Sequence, residues 1–532
     1  MKLMKKNAVS VLALCALMLT GCGTSASNTT AGTSAEDKKT EGTIDPDKKI
    51  EVVWWNNYQT PDSSKTEEEN RANRNYFEYY YATDLIAEFE NDNPNIHISM
   101  EYKGNYSEIY EAIKSGIDSG NIPTIASTYQ DNVAYYLEQE VSYDMTELAS
   151  VLEKDTDFNQ TYLSIEKGAF NGKYYSLPYS KSSEALAVNQ TVFDQEGAGK
   201  SGTDTTKYTA PTAASSKKKY SIPQNFYEMI DTARQMKADY PEVFENQRDV
   251  KGNFTAVPFC WDSAENMIIT ILKNAGLVYT DGNGETMMDK ICWNTDAVKS
   301  IVKQLKKWNN EGLICTQNQL PYTNEAKGYH EYSSTMVTNG NIFMAVTSTA
   351  GASYFAADGG LQVSLNHGLN WNEGSKASDA YVISQGPSLT FFADKDEDVN
   401  KAAFKFYQYL TNTENCAKLA VNKSYFPIRT SSYQTDSVKA LTDAAKTTNA
   451  DSSYSEKYND YTGQALNLNK TYTDENVYFM SDVFSGSADV RTAFGNIIND
   501  VFKKSVEETD TDDELNAVVD EAFAAAYKAI LA

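Results

Sequence analysis

Histidine, cysteine and positive charge are scarce in this chain. There are three histidines in 532 residues, His97, His330 and His367. His330-Glu331 is not followed by a second histidine four residues on, so the helical zinc-protease pattern fails. A G-x-S-x-G nucleophile elbow and a G-x-x-x-x-G-K phosphate loop are both missing, which sets aside the serine-hydrolase and nucleotide-loop chemistries. The six cysteines show no C-x-x-C spacing. A chain of this length buries its own core and requires no disulfide framework; Cys260, Cys292, Cys315 and Cys416 are open to one or two disulfides or to free buried thiols. Lysine and arginine number 47 against 73 acids, a formal net charge of −26. Such a field repels phosphate backbones, so nucleic acid is not expected as a partner. No run reaches the roughly 20 apolar residues of a spanning helix, and no repeat with a period of about 20 to 50 residues suggests a solenoid or propeller. Asp394-Lys395-Asp396-Glu397-Asp398 opens like a calcium loop, but the glycine needed at the sixth position is Val399; the run reads as the acidic start of a helix. No cofactor or metal is expected.

What the chain does have is aromatic rings: 36 Tyr, 21 Phe and 6 Trp. Most must be core, but pyranose faces also stack on flat rings while their hydroxyls find polar partners, as extracellular sugar binders require. At the N-terminus, Lys2, Lys5 and Lys6 precede an apolar run from Ala8 to Leu19 and a small-residue cleavage region, the three-part pattern of a signal peptide over residues 1–21. Leu19-Thr20-Gly21-Cys22 resembles the lipobox of bacterial lipoproteins, which implies a diacylglycerol on the sulfur of Cys22. Residues 22–48 hold almost nothing apolar and are expected to be a disordered tether from lipid to domain. A second biased stretch, 198–220, is expected to be a low-complexity surface insertion.

Folded sequence begins at Lys49-Ile50-Glu51-Val52-Val53-Trp54-Trp55, a strand. Tyr81, Leu85 and Phe89 share a helix face that Pro94 terminates. Ile96, Ile98, Met100 and Tyr102 then alternate with polar residues at the period of a half-buried strand. A helix over Tyr106 to Ile117 and a strand near Ile122 to Ser127 follow. Strand, helix, strand is a βαβ unit, so the expected fold class is α/β with largely parallel sheets and helices on both faces. Ala403, Phe406, Tyr407 and Leu410 mark another helix, as do Leu515, Val518, Val519, Ala522 and Phe523. More than 480 residues after the tether divide naturally into two lobes.

The segments VVWWNNY, LIAEFENDNPNIHISMEY, SGNIPTIAS, NGKYYSLPYSKSSEALAVNQTVFDQEG, IPQNFYEMIDTARQMK, NGNIFMAV, QGPSLTFF and AAFKFYQYLTNTENCAKLAVNKSYFPIRTSSY occur in that order. Taken together behind a lipobox, they resemble the extracellular solute-binding proteins of family 1 that serve ABC importers, over nearly the whole mature chain. The resemblance implies a two-lobed periplasmic-binding-protein-like fold of type II, with a hinge of crossing strands and ligand in the cleft between lobes. It implies an N-terminal lobe of residues 49–181 plus 382–428 and a C-terminal lobe of 182–381 plus 429–532. The crossings fall at Leu177 to Asn189, Gln385 to Phe392 and Phe426 to Thr430. The implied activity is non-enzymatic: capture of a sugar or oligosaccharide by a monomer on the outer face of the bacterial cytoplasmic membrane, hinge closure, and delivery to ABC permease subunits.

Site candidates follow from positions matched to the family. Trp54, Trp55 and Asn56 end the first strand, so at least one tryptophan is expected to reach the cleft while alternation puts the other into the core, with Asn56 as a partner for hydroxyls. Tyr129 and Gln130 follow the strand ending at Ser127. Tyr179, Ser182 and Glu184 lie at the first crossing. Trp261 and Asp262 resemble the family's stacking ring and polar partner, and Trp261 is the leading candidate. Ser348 and Thr349 end the NGNIFMAV strand; Gln385, Gly386 and Ser388 stand where members carry a glycine pair; Arg429 and Phe484 complete the set. One departure concerns the ligand. Maltodextrin-binding members carry tryptophans where this chain has Thr349-Ala350-Gly351-Ala352 and Ser485-Gly486-Ser487-Ala488, so a malto-oligosaccharide stack is in doubt. LPYSKSSEALAVN also resembles the polyol-phosphate branch, with Lys181 and Arg429 as its charges, and glycerol 3-phosphate is the alternative ligand. A surface glycosidase needs only two carboxylates about 5 to 10 Å apart in space, a condition that spacing along the chain does not address.

Overall fold

The computed structural model describes residues 44–194, 219–449 and 451–531. The expected signal peptide, the lipidation site Cys22, most of the tether and nearly all of the 198–220 insertion lie outside the described residues. The tether's last residues, by contrast, are docked: Ile44 packs against the core, and Lys48 Nζ donates to Asp396 at 2.5 Å and to Asp398 at 2.9 Å. A lysine facing two carboxylates at a helix N-terminus explains the attachment. That helix, Glu397–Leu410, is capped by Asp396, as the acidic run foretold.

The strands in chain order are β1 (Ile50–Asn56), β2 (Ile96–Tyr102), β3 (Ile125–Thr128), β4 (Ser176–Pro178), β5 (Glu184–Asn189), β6 (Val257–Trp261), β7 (Ile314–Thr316), an exposed hairpin β8 (Tyr322–Asn324) and β9 (Tyr329–His330), β10 (Ile342–Ser348), β11 (Val363–Asn366), β12 (Val382–Ile383), β13 (Ser388–Phe391) and β14 (Tyr478–Phe479). They build two five-stranded sheets, β2-β1-β3-β13-β4 and β11-β5-β10-β6-β7. Each is mixed, not largely parallel. The βαβ units supply the parallel pairs β1 with β2 and β3, and β6 with β7 and β10. Strands that arrive from the other lobe, β5 and β13, enter antiparallel to their neighbours, because a chain crossing between sheets has no covering helix to reverse its direction.

Local chemistry fixes the elements as expected. The helix Phe77–Asp92 buries Tyr81, Leu85 and Phe89, and in β2 Ile96 and Ile98 are buried while His97 faces solvent. The helix Asp512–Ile530 starts in a capping box between Thr511 and Glu514 and buries Leu515, Val519, Ala522 and Phe523. Helices Asp436–Ala444 and Tyr454–Asp474 contribute Val438, Leu441, Tyr461 and Leu466 to a core shared by both sheets, which holds Trp54 of the first and Ala187, Cys260 and Ile342 of the second. Cys260, Cys292, Cys315 and Cys416 are free thiols. Among the described residues no helix is long and apolar enough to cross a membrane.

Three chain segments meet between the sheets. Ser182 and Gln385 exchange backbone hydrogen bonds of 3.0 and 2.9 Å, and Lys181 O accepts from Phe426 N at 2.7 Å. Gly386 makes this contact possible. Its φ is +84°, and a Cβ there would lie 2.0 Å from Ser180 O and 2.9 Å from Lys181 Cα. Gly386→Ala should therefore destabilise the protein by about 3 kcal/mol, through strain and forced separation of two backbones, measurable by urea denaturation; an unchanged midpoint would show that the crossing is looser than its contacts imply.

Candidate functional site

A cleft of about 610 Å³ opens between the lobes. Its walls are the starts of four helices. From the first lobe come Tyr106–Gly116 and Gln130–Glu138, the latter directly beyond the carboxyl end of β3; from the second come Ala264–Asn274, beyond the carboxyl end of β6, and Ser487–Lys503. Ile383, Ser384 and Gln385 from the crossing strand close the base with Met480 and Ser481. This is where parallel α/β sheets place ligands, because the connecting loops diverge there and leave helix N-termini pointing inward.

Each N-terminus brings hydrogen-bond donors and a partial positive charge, and each carries a carboxylate in its first turn: Glu108, Asp131, Glu265 and Asp489. Glu108 is consumed by a capping box with Asn105, whereas Asp131, Glu265 and Asp489 line the cleft together with Glu111. Arg491 is the cation among the lining residues, and it is engaged. Its Nη2 donates to Asn266 Oδ1, and its Nη1 lies 3.5 Å from Asp131 Oδ2 on the facing lobe. Two of the helices, Gln130–Glu138 and Ser487–Lys503, have no side-chain cap; at their starts Asn132 N donates to Tyr129 O at 3.1 Å and Ser487 N to Phe484 O at 2.8 Å. Tyr106, Tyr110 and Tyr129 supply rings, with Tyr106 and Tyr129 edge-to-face at 4.8 Å. Ser384 Oγ, Ser481 Oγ and Gln385 Nε2 are buried without a hydrogen-bond partner, and all three belong to cleft-lining residues. Orphaned polar atoms of this kind are costly unless a polar molecule meets them.

Of the residues singled out from sequence, Tyr129, Gln130 and Gln385 line this cleft. The others are placed elsewhere. Trp54 is fully buried against Tyr58, Tyr179 and Phe406. Trp55 packs on the opposite face among Ile109, Ile113 and Phe392, with Lys103 Nζ 4.1 Å from its ring centre. β1 is central in its sheet and covered on both faces, so alternation sends one tryptophan into each core and neither into the cleft. Asn56 is buried and accepts from Tyr58 N, and Tyr179 accepts from or donates to Tyr58 Oη at 3.3 Å. Trp261 is 1% exposed and stacks on Phe226 at 5.9 Å and 17°, packed in the core and not among the residues lining the cleft. Asp262 is sequestered near Ser333 and Thr347, and burial pushes its carboxyl above the usual range.

Ser182 belongs to the crossing itself. Thr349 Oγ1 accepts from Ser183 N at 3.0 Å and Ser348 caps the turn that follows β10. Ser388 donates to Glu166 in a buried network with Gln130 and Ser176. Lys181, 1% exposed, donates to Gly386 O at 3.0 Å, and Arg429 is tied to Asp155 and to Thr411 O. Both charges proposed for a phosphate are thus engaged away from the cleft. Phe484 is buried in the second-lobe core. Sequence reasoning missed Tyr106, Tyr110, Asp131, Asn266, Asp489 and Arg491. The available signal was the N-cap pattern, such as Ser263 ahead of Glu265 and Asn266, which marks helix starts beyond strand ends.

Because Trp261 is core, Trp261→Ala should cost about 3–5 kcal/mol of stability, read as a lowered urea midpoint. A variant of unchanged stability would return Trp261 to the list of ligand contacts.

Comparison with known proteins agrees with this architecture. The family model described as bacterial extracellular solute-binding protein matches residues 84–447. The sn-glycerol-3-phosphate-binding periplasmic protein UgpB of Escherichia coli K12 is 22% identical over 360 residues, covering 66% of this chain and 71% of that protein. Among solved structures, the maltose/maltodextrin-binding domain MalE from Bdellovibrio bacteriovorus bound to maltotriose superimposes with a TM-score of 0.57 at 14% identity, covering 91% of this chain and 100% of that one. UgpB from Mycobacterium tuberculosis in complex with glycerophosphocholine gives a TM-score of 0.56 at 15% identity, covering 89% and 99%. The fold is that of the maltose-binding type of periplasmic binding protein, and with a family model matched across more than half its length the chain belongs to the bacterial extracellular solute-binding proteins.

Proposed function

We propose that this protein is a lipid-anchored, extracytoplasmic binding protein that captures an uncharged sugar or oligosaccharide between its lobes and delivers it, unaltered, to an ABC importer. The observation that carries the ligand class is the electrical balance of the cleft. Four helix N-termini would invite an anion, but Asp131, Glu265 and Asp489 stand in three of their first turns and Glu111 beside the fourth, and Arg491 is already shared between Asp131 and Asn266. A phosphate would meet these carboxylates in a partly desolvated space, where like charges repel strongly. A polyol meets the opposite situation. Its hydroxyls donate to the carboxylates and accept from Ser384, Ser481 and Gln385, while its apolar faces lie on tyrosine rings.

The polyol-phosphate reading has weaker support for the same reason, since Lys181 and Arg429 are engaged elsewhere. Closure of the lobes about the three crossing segments would report occupancy to the permease. Anchoring rests on the lipobox-like Leu19-Thr20-Gly21-Cys22.

Residues 44–532 should melt higher in the presence of a neutral saccharide found by screening, by the equivalent of about 2.7 kcal/mol at one hundred times its dissociation constant. The saccharide should be recovered intact, sn-glycerol 3-phosphate should give no shift, and Tyr129→Ala should reduce the effect. Stabilisation by glycerol phosphate alone would select the alternative ligand, and a cleaved glycan would overturn the transport reading. In cells, Cys22→Ser should move the protein from the membrane fraction to the soluble one; retention in the membrane would refute the lipid anchor.

A further inference from the structure

Glu184 does not line the cleft, yet it is wired to it. It opens β5 just after the first crossing and is 5% exposed. Its Oε1 accepts from Trp261 Nε1 at 3.1 Å and from Asn266 Nδ2 at 2.8 Å, while Oε2 is buried without a partner. With its Nδ2 held by Glu184, the Asn266 amide is oriented so that Oδ1 accepts from Arg491 Nη2, and Arg491 Nη1 faces Asp131 across the cleft. A continuous chain of polar contacts therefore runs from the crossing strand through Asn266 and Arg491 to the opposite lobe, and its last three members line the cleft.

We propose that Glu184 is a positioning residue for the cleft: it orients Asn266, through it aims Arg491, and by gaining or losing a proton at Oε2 it changes the charge that Arg491 and its ligand experience.

The geometry makes the proton step nearly free of rearrangement. Both donors converge on Oε1, so a proton on the vacant Oε2 leaves both hydrogen bonds in place and alters only charge. The groups facing Glu184 are few. On the β6 side are Trp261 and Asp262, from the helix Ala264–Asn274 comes Asn266, from Ser487–Lys503 comes Arg491, and Tyr472 of the helix Tyr454–Asp474 donates to the Glu184 backbone carbonyl at 3.0 Å. Burial dominates and raises the carboxyl to about 7; Asp262 adds to the rise, and Asn266, Trp261 and Arg491 oppose it. The transition so falls in the physiological range, where Arg491 and a ligand beside it would meet two different local charges.

The inference rests on the cleft being the ligand site, but its test needs no ligand and survives if the saccharide assignment fails. In nitrogen-15 NMR of residues 44–532 between pH 5.5 and 8.5, the Trp261 indole N–H and the Arg491 Nε–H resonances, assigned with Trp261→Phe and Arg491→Lys, should move together with one midpoint near 7. Both titrations should vanish in Glu184→Gln, which keeps an oxygen for the two donors, and persist in Asp262→Asn. A wild-type spectrum in which either resonance is flat, or in which the two have different midpoints, overturns the proposal even if the glutamine variant fails to fold. So does an unchanged titration in Glu184→Gln.

Discussion

The close approach of three chain segments between the sheets is the constraint on which the rest of the molecule depends. Ser182 and Gln385 bond through their backbones as in a miniature sheet, Phe426 joins through Lys181, and Gly386 lets two backbones touch where no side chain fits. The charge buried beside them is satisfied locally, with Lys181 donating to Gly386 O and lying 3.9 Å from Glu166. Burial pulls the Lys181 amine below its ordinary range, and the Glu166 carboxylate works against that pull. An unpaired charge at this depth would cost several kcal/mol. Because the segments are short and individually bonded, they set the line along which the lobes face one another, and the cleft opens beside that line.

Within the cleft, the helix starts and their first-turn acids work against one another by design of the sequence. Field strength is cancelled while hydrogen-bonding capacity is retained, which suits a molecule rich in hydroxyls and poor in charge. The same arrangement gives Arg491 a role other than anion capture. It spans from Asn266 to Asp131 and so couples the walls.

The aromatic richness of the chain divides between two tasks that composition does not separate. Trp54, Trp261 and Trp293 are among the largest fully buried side chains and hold the cores. Tyr106, Tyr110 and Tyr129 face the cleft instead, with the Tyr106 hydroxyl held beside Tyr425 and Asn57.

Sequence alone determined the periodic helices and strands, the α/β class and the family, because hydrophobic spacing and caps act over a few residues and survive drift in identity. It also pointed to three segments that border the cleft: the loop after β3, the PFCWDSAEN segment and the QGPSLTFF crossing. What it left undecided was which residue of each neighbourhood faces the cleft. Trp261 turned into the core and Asn266, five residues on, turned toward the cleft wall, since β6 is covered on both faces and the helix beyond it is capped by Ser263. Arg491 and Asp131, 360 residues apart, meet only because the crossings bring two lobes together. Local periodicity fixes a side chain's face within its element, but the cleft is a relation between elements, and the tertiary packing of the crossing segments decided it.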